Sequence, residues 1–213
     1  MSKLVLVIGN KNYSSWSLRA WLTLKQTGKP FQEIHLPLHT PQFEKEIIKY
    51  SPSGKVPCLI DGDIRIWESL AICEYLAERF PQENLWPKDP KARAFARAVS
   101  NEMHAGFMAL RKHCPMNCRE RIPKDISPDV QVDIDRITSI WREARKQFGA
   151  GGPFLFGKFT IADSMYAPIV MRFVTYGIQV DSASKGFMDA VLSLPATKEW
   201  LAGAKAETEV LTY

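Results

Sequence analysis

The spacing of apolar positions in residues 1–80 alternates between strand and helix patterns. Leu4–Ile8 is a continuous apolar run, which is typical of a buried strand. Apolar positions then recur at helical spacing from about Ser15 to Gly28. A second strand is predicted at residues 31–36, and Thr40-Pro41 predicts a helix that begins with an N-cap followed by proline.

The pattern changes again after residue 55. Two short apolar segments, residues 56–60 and 64–67, flank Asp61-Gly62, and this dipeptide predicts a hairpin turn. A third helix with one apolar face is predicted from about Ser69. The order βαβ, α, ββα predicts a small mixed sheet covered by helices, with strands 1 and 2 parallel and strands 3 and 4 antiparallel.

Helical patterns dominate the rest of the chain. Prolines mark residues 81–90 as a linker. Four helices are predicted beyond it: a stripe that ends at Pro115, a helix from Ser127-Pro128 to Gly149, one from about Thr160 and one from about Pro195. We therefore expect an α/β domain in residues 1–80 and an all-helical domain in residues 91–213.

Composition excludes several classes of function. Of 213 residues, 46% are hydrophobic and 24% charged, as in ordinary globular proteins. No apolar run approaches the roughly 20 residues of a membrane-spanning helix, and the apolar N-terminal run is too short for a secretory signal. The net charge is +5, but Lys and Arg alternate with acidic residues. We expect a cytoplasmic protein that binds neither nucleic acid nor membrane, with a mild positive field that favours small anions.

The cysteines indicate neither a disulfide framework nor a metal site. Cys58, Cys73, Cys114 and Cys118 are few for this length and form no CxxC pair. His113 lies close to two of them, but a fourth ligand is missing. We expect no metal.

Three local motifs lie beside the predicted strands. In residues 12–19, between strand 1 and helix 1, Ser14 lies five residues before Arg19. Residues 51–57 read Ser-Pro-Ser-Gly-Lys-Val-Pro, and Glu68-Ser69 opens the third helix. With the βαβαββα order and the helical second half, these motifs resemble the cytosolic glutathione transferases, specifically the serine-type turn of the zeta, tau and phi classes. The resemblance implies a thioredoxin-like N-terminal domain and an all-helical C-terminal domain.

The resemblance further implies that the turn before helix 1 activates the thiol of glutathione. A free thiol with a pKa of about 8.5 is only a few per cent ionised at pH 7. Lowering this pKa by about two units requires about 2.7 kcal/mol. A hydroxyl donor contributes about 1.5–3 kcal/mol and a helix N-terminus about 0.3–1 kcal/mol. The spacing to Arg19 favours Ser14 as the donor and leaves Ser15 as the alternative, and either serine could instead only cap the helix.

The other motifs are implied to hold the rest of glutathione. Val56, before a cis proline, pairs its backbone with the cysteinyl part, and Lys55 reaches a carboxylate. Glu68 takes the ammonium of the γ-glutamyl group, while Ser69 and the helix start bind its carboxylate. His39 lies near the glycine end. Without the other motifs, Glu68-Ser69 would indicate only a helix cap.

The expected function is glutathione transfer to small hydrophobic electrophiles in a homodimer. Zeta enzymes have a cysteine where this chain has Trp16, so their maleylacetoacetate isomerase activity is not carried over, and no active-site cysteine supports disulfide exchange. One alternative is a glutathione-dependent peroxidase or isomerase at the same site, and another is a non-catalytic glutathione-fold binding or assembly module. The residues expected to contact the electrophile are Trp16, His104, Phe107, Met108 and Arg111.

One acidic residue of the helical half is assigned to folding. Thr160 and Asp163 match the family's buried capping motif at the start of a core helix. We expect Asp163 to satisfy backbone donors there and to take no part in catalysis.

Overall fold

A computed structural model of the chain describes residues 4–211. Its N-terminal part contains a four-stranded sheet of order β2-β1-β3-β4. β1 pairs parallel to β2 and antiparallel to β3, and β3 pairs antiparallel to β4. The predicted mixed sheet is therefore confirmed. The strands are β1 (Leu4–Ile8), β2 (Phe31–His35), β3 (Cys58–Asp61) and β4 (Ile64–Trp67).

Helices cover both faces of this sheet. They are α1 (Ser15–Gln26), α2 (Pro41–Ile47) and α3 (Ser69–Arg79). Leu6 and Ile8 of β1 face the large core that contains α1 and α3, whereas Val7 faces a smaller cluster with Ile47 of α2. Because alternate side chains of β1 are buried on opposite faces, the strand is an unbroken apolar run.

The hairpin turn lies one residue later than the sequence predicted. Asp61 pairs with Ile64 in the ladder, so Gly62 and Asp63 form the turn. Gly62 has φ +60°, which suits the first central residue of a two-residue hairpin loop. The Asp61 carboxylate accepts hydrogen bonds from the Tyr75 hydroxyl at 2.9 Å and Arg79 Nε at 3.3 Å, which retain Asp61 in the strand.

The second part of the chain is helical, as predicted, but it contains more helices than predicted. The helix at Ser182–Ser193, α8, was missed, although Asp181 caps its N-terminus by accepting from the Ser184 amide at 3.0 Å. The helices are α4 (Pro90–Ala105), α5 (Met108–His113), α6 (Pro128–Phe148), α7 (Ile161–Tyr176), α8 (Ser182–Ser193) and α9 (Pro195–Ala206).

The predicted stripe that ends at Pro115 is divided into α4 and α5. Phe107 has φ +63° and breaks the helix. The Asp133 carboxylate, from α6, accepts from the Leu110 amide at 2.9 Å, near the start of α5. This contact comes from a distant element, so the spacing of apolar residues could not reveal it.

Among residues 4–211 no helix is long and apolar enough to cross a membrane. The same range contains no cluster of three or more His, Cys, Asp or Glu side chains that could hold a metal ion.

Candidate functional site

The residues predicted to hold glutathione line two adjoining cavities of the described structure. The larger cavity has a volume of about 370 Å³ and the smaller about 150 Å³. Trp16, Lys55 and Val56 line both. The predicted residues on the larger cavity are Ser14, Ser15, His39, Lys55 and Val56, and those on the smaller are Lys55, Val56, Glu68 and Ser69.

Ser14 and Ser15 lie at the start of α1, buried at the wall of the larger cavity. Ser14 is the N-cap: its Oγ accepts from the Ser17 amide at 3.3 Å and donates to Ser17 Oγ at 2.7 Å. Ser15 Oγ accepts from Arg172 Nη2 at 3.4 Å. The two hydroxyls therefore have different partners, and both face a cavity at a helix N-terminus, where anions are favoured.

The loop before Ser14 is held by the segment that follows α9. The Glu207 carboxylate accepts from the amides of Lys11 at 2.5 Å and Asn12 at 2.9 Å, and it lies 3.4 Å from His35 Nε2. Burial alone would raise the pKa of Glu207, but the hydrogen bonds from His35, Asn12 and Lys11 lower it. The segment after α9 thus holds the turn that precedes α1.

Replacing Glu207 by alanine should lower the free energy of unfolding by about 1–2 kcal/mol at pH 7, because two amides lose a charged acceptor. The folded-state pKa is lowered, so this stabilisation is complete above the ordinary glutamate pKa of about 4.3 and is lost as the pH falls through the folded-state value. Urea unfolding at several pH values measures it. Glu209→Ala is the matched control, because Glu209 bonds to Arg119 and Tyr13 through its backbone carbonyl. Equal losses in both variants would contradict the role of the Glu207 carboxylate.

At the junction of the two cavities, the backbone amide and carbonyl of Val56 are available to bind a ligand. The Val56–Pro57 peptide bond is cis, as predicted. The amide and carbonyl of Val56 make no hydrogen bond to any residue in the described range. Such an unpaired peptide unit, just before β3, can pair with an extended peptide as an added strand does.

Ser69 and Glu68 form the far wall of the smaller cavity. The Ser69 hydroxyl is fully buried and has no partner within residues 4–211. A buried hydroxyl without a partner is costly, which indicates that a ligand acceptor completes it. Glu68 has φ +68°, a strained conformation for a residue other than glycine, and its carboxylate is 3.6 Å from His104 Nε2. This wall offers a donor for a carboxylate beside an acceptor for an ammonium.

The His104 imidazole does not compete strongly for Glu68 near neutral pH. Burial and the nearby Arg19 charge lower the pKa of His104, against the opposing effect of Glu68. His104 is therefore mainly neutral at pH 7, which leaves the Glu68 carboxylate able to bind a cationic ligand.

Trp16 lies between two cationic side chains. The guanidinium carbon of Arg19 is 4.5 Å from the Trp16 ring centre, and that of Arg111 is 5.0 Å away. The His104 ring meets Trp16 edge to face at 5.1 Å. These contacts fix the indole between the two cavities.

The five residues expected to contact the electrophile do not all lie on one cavity. Trp16 and Arg111 line the larger cavity, but His104, Phe107 and Met108 do not. The cause is the break between α4 and α5, which turns Phe107 into the core and leaves Met108 67% exposed. Tyr13 also lines this cavity, and the lining residues to which the sequence assigned no role are Leu38, Phe43, Gly54, Pro115, Met116 and Arg172.

Two family models match the chain. One, described as Glutathione S-transferase, N-terminal domain, matches residues 13–79, and the other, Glutathione S-transferase, C-terminal domain, matches residues 119–203. Together they cover more than two thirds of the sequence.

Several individual proteins are similar to most of the chain. A "Stringent starvation protein A homolog" of Coxiella burnetii is 27% identical over 78% of this chain and 75% of its own. A "Glutathione S-transferase zeta class" of Euphorbia esula is 29% identical over 77% of this chain and 70% of its own. A crystal structure of a glutathione transferase homolog from Burkholderia gl BGR1, with bound glutathione, covers 96% of this chain and 100% of its own at 22% identity and a TM-score of 0.72.

Proposed function

Since the chain belongs to the glutathione S-transferase family, whose enzymes use glutathione as co-substrate, we propose that it conjugates glutathione to small electrophiles in the larger cavity. The single observation that carries this proposal is the joint lining of that cavity by Ser14, Ser15 and Val56. A peptide paired with the Val56 backbone would bring its cysteinyl sulfur to the start of α1.

The remaining parts of glutathione find matching groups. In the proposal, the unpartnered Ser69 hydroxyl donates to the γ-glutamyl carboxylate and Glu68 binds the ammonium group. Lys55 and His39 lie on the larger cavity and would receive the glycine carboxylate. The ligand would thus lie across both cavities, with its charged groups at the ends and its sulfur near the middle.

In the proposal, the Ser14 hydroxyl donates the hydrogen bond that stabilises the glutathione thiolate. Its hydroxyl can keep the hydrogen bond from the Ser17 amide and exchange the bond it donates to Ser17 Oγ for one to sulfur. A hydrogen bond to an anion is roughly twice as strong as a neutral one, so the exchange is favourable. The thiolate then forms an S–C bond with the electrophilic carbon, while the displaced electron pair leaves with the leaving group or moves onto the adjacent carbon.

The thiol pKa of bound glutathione tests this proposal. Ultraviolet titration of thiolate absorbance should give a pKa below about 7.5 in the wild type, and Ser14→Ala should raise it by about one to two units while glutathione affinity changes only several-fold. Ser15→Ala is the matched control, with an expected change under about half a unit. If Ser15→Ala alone produced the shift, Ser15 would be the donor.

The same titration, together with a transfer assay over a panel of electrophiles, separates the proposed function from its two alternatives. Saturable binding with a thiol pKa like that in solution would favour a non-catalytic binding or assembly module over an enzyme. A lowered pKa without transfer to any of a broad panel of electrophiles would favour a glutathione-dependent peroxidase or isomerase. The proposal also includes a cytoplasmic homodimer that acts in detoxification, as the resemblance implies.

A further inference from the structure

Three guanidinium groups near the larger cavity form no ion pair with an acidic side chain of the described residues, although the charge of Asp133 acts on Arg111 from a longer distance. Arg19 and Arg172 are buried and Arg111 is half-buried. Among residues 4–211, none of them has an Asp or Glu oxygen within 4.0 Å, although twelve other charged contacts occur there. Buried charges in proteins are normally paired, so this cluster is unusual.

Backbone carbonyls satisfy part of this cluster but do not neutralise it. Arg111 Nε donates to the Gly106 carbonyl at 2.8 Å, and Arg172 donates to the carbonyls of Cys114 at 2.9 Å and Pro168 at 3.2 Å. Burial and the neighbouring Arg111 charge lower the pKa of Arg172 to about 10. The positive charges therefore repel one another in a poorly solvated place, which an anion would relieve.

Two of the three side chains face the larger cavity. Arg111 and Arg172 line it, beside the apolar Pro115 and Met116, whereas Arg19 does not. Arg111 Nη1 makes no hydrogen bond to the described residues, and Arg172 Nη2 makes only the long 3.4 Å bond to Ser15. Donors of this kind suit the two oxygens of a carboxylate.

Glutathione does not supply the missing charge if it binds as proposed above. Its ammonium is matched by Glu68, one carboxylate by Ser69, the other by Lys55, and its thiolate by Ser14. Arg111 and Arg172 then remain without an ion-pair partner among the described residues: the charge of Asp133 acts on Arg111 only from beyond 4.0 Å, and no Asp or Glu is among the described residues that line the larger cavity. The unmatched charge lies where the second substrate must enter.

We propose that the electrophile carries a carboxylate, which Arg111 and Arg172 bind while its apolar part lies against Trp16 and Met116. This inference rests on the proposed function and narrows the expected small hydrophobic electrophiles to small organic acids with an electrophilic carbon. The carboxylate would orient that carbon toward the thiol and would balance the positive charge.

Two product-like ligands test the inference without any reaction. S-(2-carboxyethyl)glutathione and S-(2-carbamoylethyl)glutathione have nearly the same shape but differ by one negative charge. Titration calorimetry at pH 7 should show the carboxylate ligand binding the wild type at least about 10-fold more tightly. Equal affinities would overturn the inference, and they would leave the proposed function intact provided that glutathione itself binds. No binding of glutathione would instead refute the proposed function.

Variants that remove one positive charge show which side chain causes the preference for the carboxylate ligand. Arg111→Gln should reduce the preference for the carboxylate ligand to within about threefold. Arg111→Lys keeps the charge but loses the paired N–H donors of the guanidinium group, so its preference should lie between those of the wild type and Arg111→Gln. Lys112→Gln is the matched control, because it removes the same charge from an exposed side chain of α5 outside the cavity, and it should keep the full preference. A preference that survives Arg111→Gln, or that disappears equally in Lys112→Gln, would contradict the assignment.

Discussion

Replacing Asp163 by alanine should lower the free energy of unfolding by about 3 kcal/mol at pH 7. Asp163 Oδ1 accepts from the Leu155 amide at 3.0 Å, and Oδ2 accepts from the Thr160 amide at 2.7 Å and from the Thr160 hydroxyl at 3.0 Å. The carboxylate is fully buried, so alanine would leave two buried amides without acceptors, at about 1–3 kcal/mol each. Urea unfolding followed by tryptophan fluorescence measures the loss.

The effect of Asp163→Ala should also depend on pH. Burial raises the pKa of Asp163 to about 6, although the hydrogen bonds from Leu155 and Thr160 oppose the rise. Between about pH 4 and 6 the folded chain keeps this proton while the unfolded chain, with a pKa of about 3.9, loses it. The contribution of Asp163 to stability is therefore greatest below pH 4 and falls as the pH rises through 6.

Asp163→Asn is the control for charge. The amide oxygen still accepts a hydrogen bond, so the variant should lose only about 1 kcal/mol and should not show this pH dependence. If the alanine variant were as stable as the wild type, the capping role would be wrong. If both variants kept their stability but lost transferase activity, Asp163 would belong to the catalytic site instead of the core.

The fold could be predicted where local pattern and tertiary packing agree. β1 is apolar on both faces because the two clusters lie on opposite sides of the sheet. Thr40 begins α2 by accepting from the Phe43 amide at 3.1 Å, as its position before Pro41 indicated. Strand and helix starts of this kind are specified within a few residues, so one sequence was enough to predict them.

The errors arise where a distant contact decides the local structure. α4 and α5 share one apolar stripe, and only the left-handed Phe107 and the Asp133 cap separate them. α8 was missed for another reason: it has 12 residues, as α1 and α9 have, and its cap is local, but the spacing that includes Phe187 and Val191 was not recognised. Apolar periodicity reports a buried face and says little about where a helix bends.

Some residues of the candidate site could be predicted from local motifs, and others could not. Ser14, Lys55, Glu68 and their neighbours lie at strand and helix ends, where recognisable motifs mark them. Arg172 lies in the middle of α7, among residues that are almost all buried, so it carries no motif. A charged residue inside an otherwise apolar helix was the available signal, because such a residue is rarely buried without a function or a partner.

Replacing Glu68 by glycine should weaken glutathione binding by about 10- to 100-fold, because the ammonium group loses a charged partner. The same substitution should raise the free energy of unfolding by about 1 kcal/mol, because glycine adopts φ +68° with far less strain than glutamate. Calorimetric titration with glutathione and urea unfolding measure the two effects.

Glu68→Gln separates the two effects of Glu68→Gly. Glutamine retains the strained backbone and an amide oxygen, so stability should not change and affinity should fall about 10-fold. Because the pKa of His104 is lowered, affinity in the wild type should be steady near pH 7 and fall at acidic pH, where protonated His104 competes for Glu68. Both Glu68 variants should lose that part of the pH dependence.

The opposite signs in Glu68→Gly are the strongest form of this test. A residue that serves only the structure cannot gain stability and lose ligand affinity in one substitution, whereas a binding residue held in a strained conformation can. Unchanged glutathione affinity in the glycine variant would show that a residue other than Glu68 binds the ammonium group. The buried Ser69 hydroxyl would then still offer a donor to a ligand carboxylate in the smaller cavity, and Ser69→Ala, which removes that hydroxyl, would show whether a carboxylate binds there.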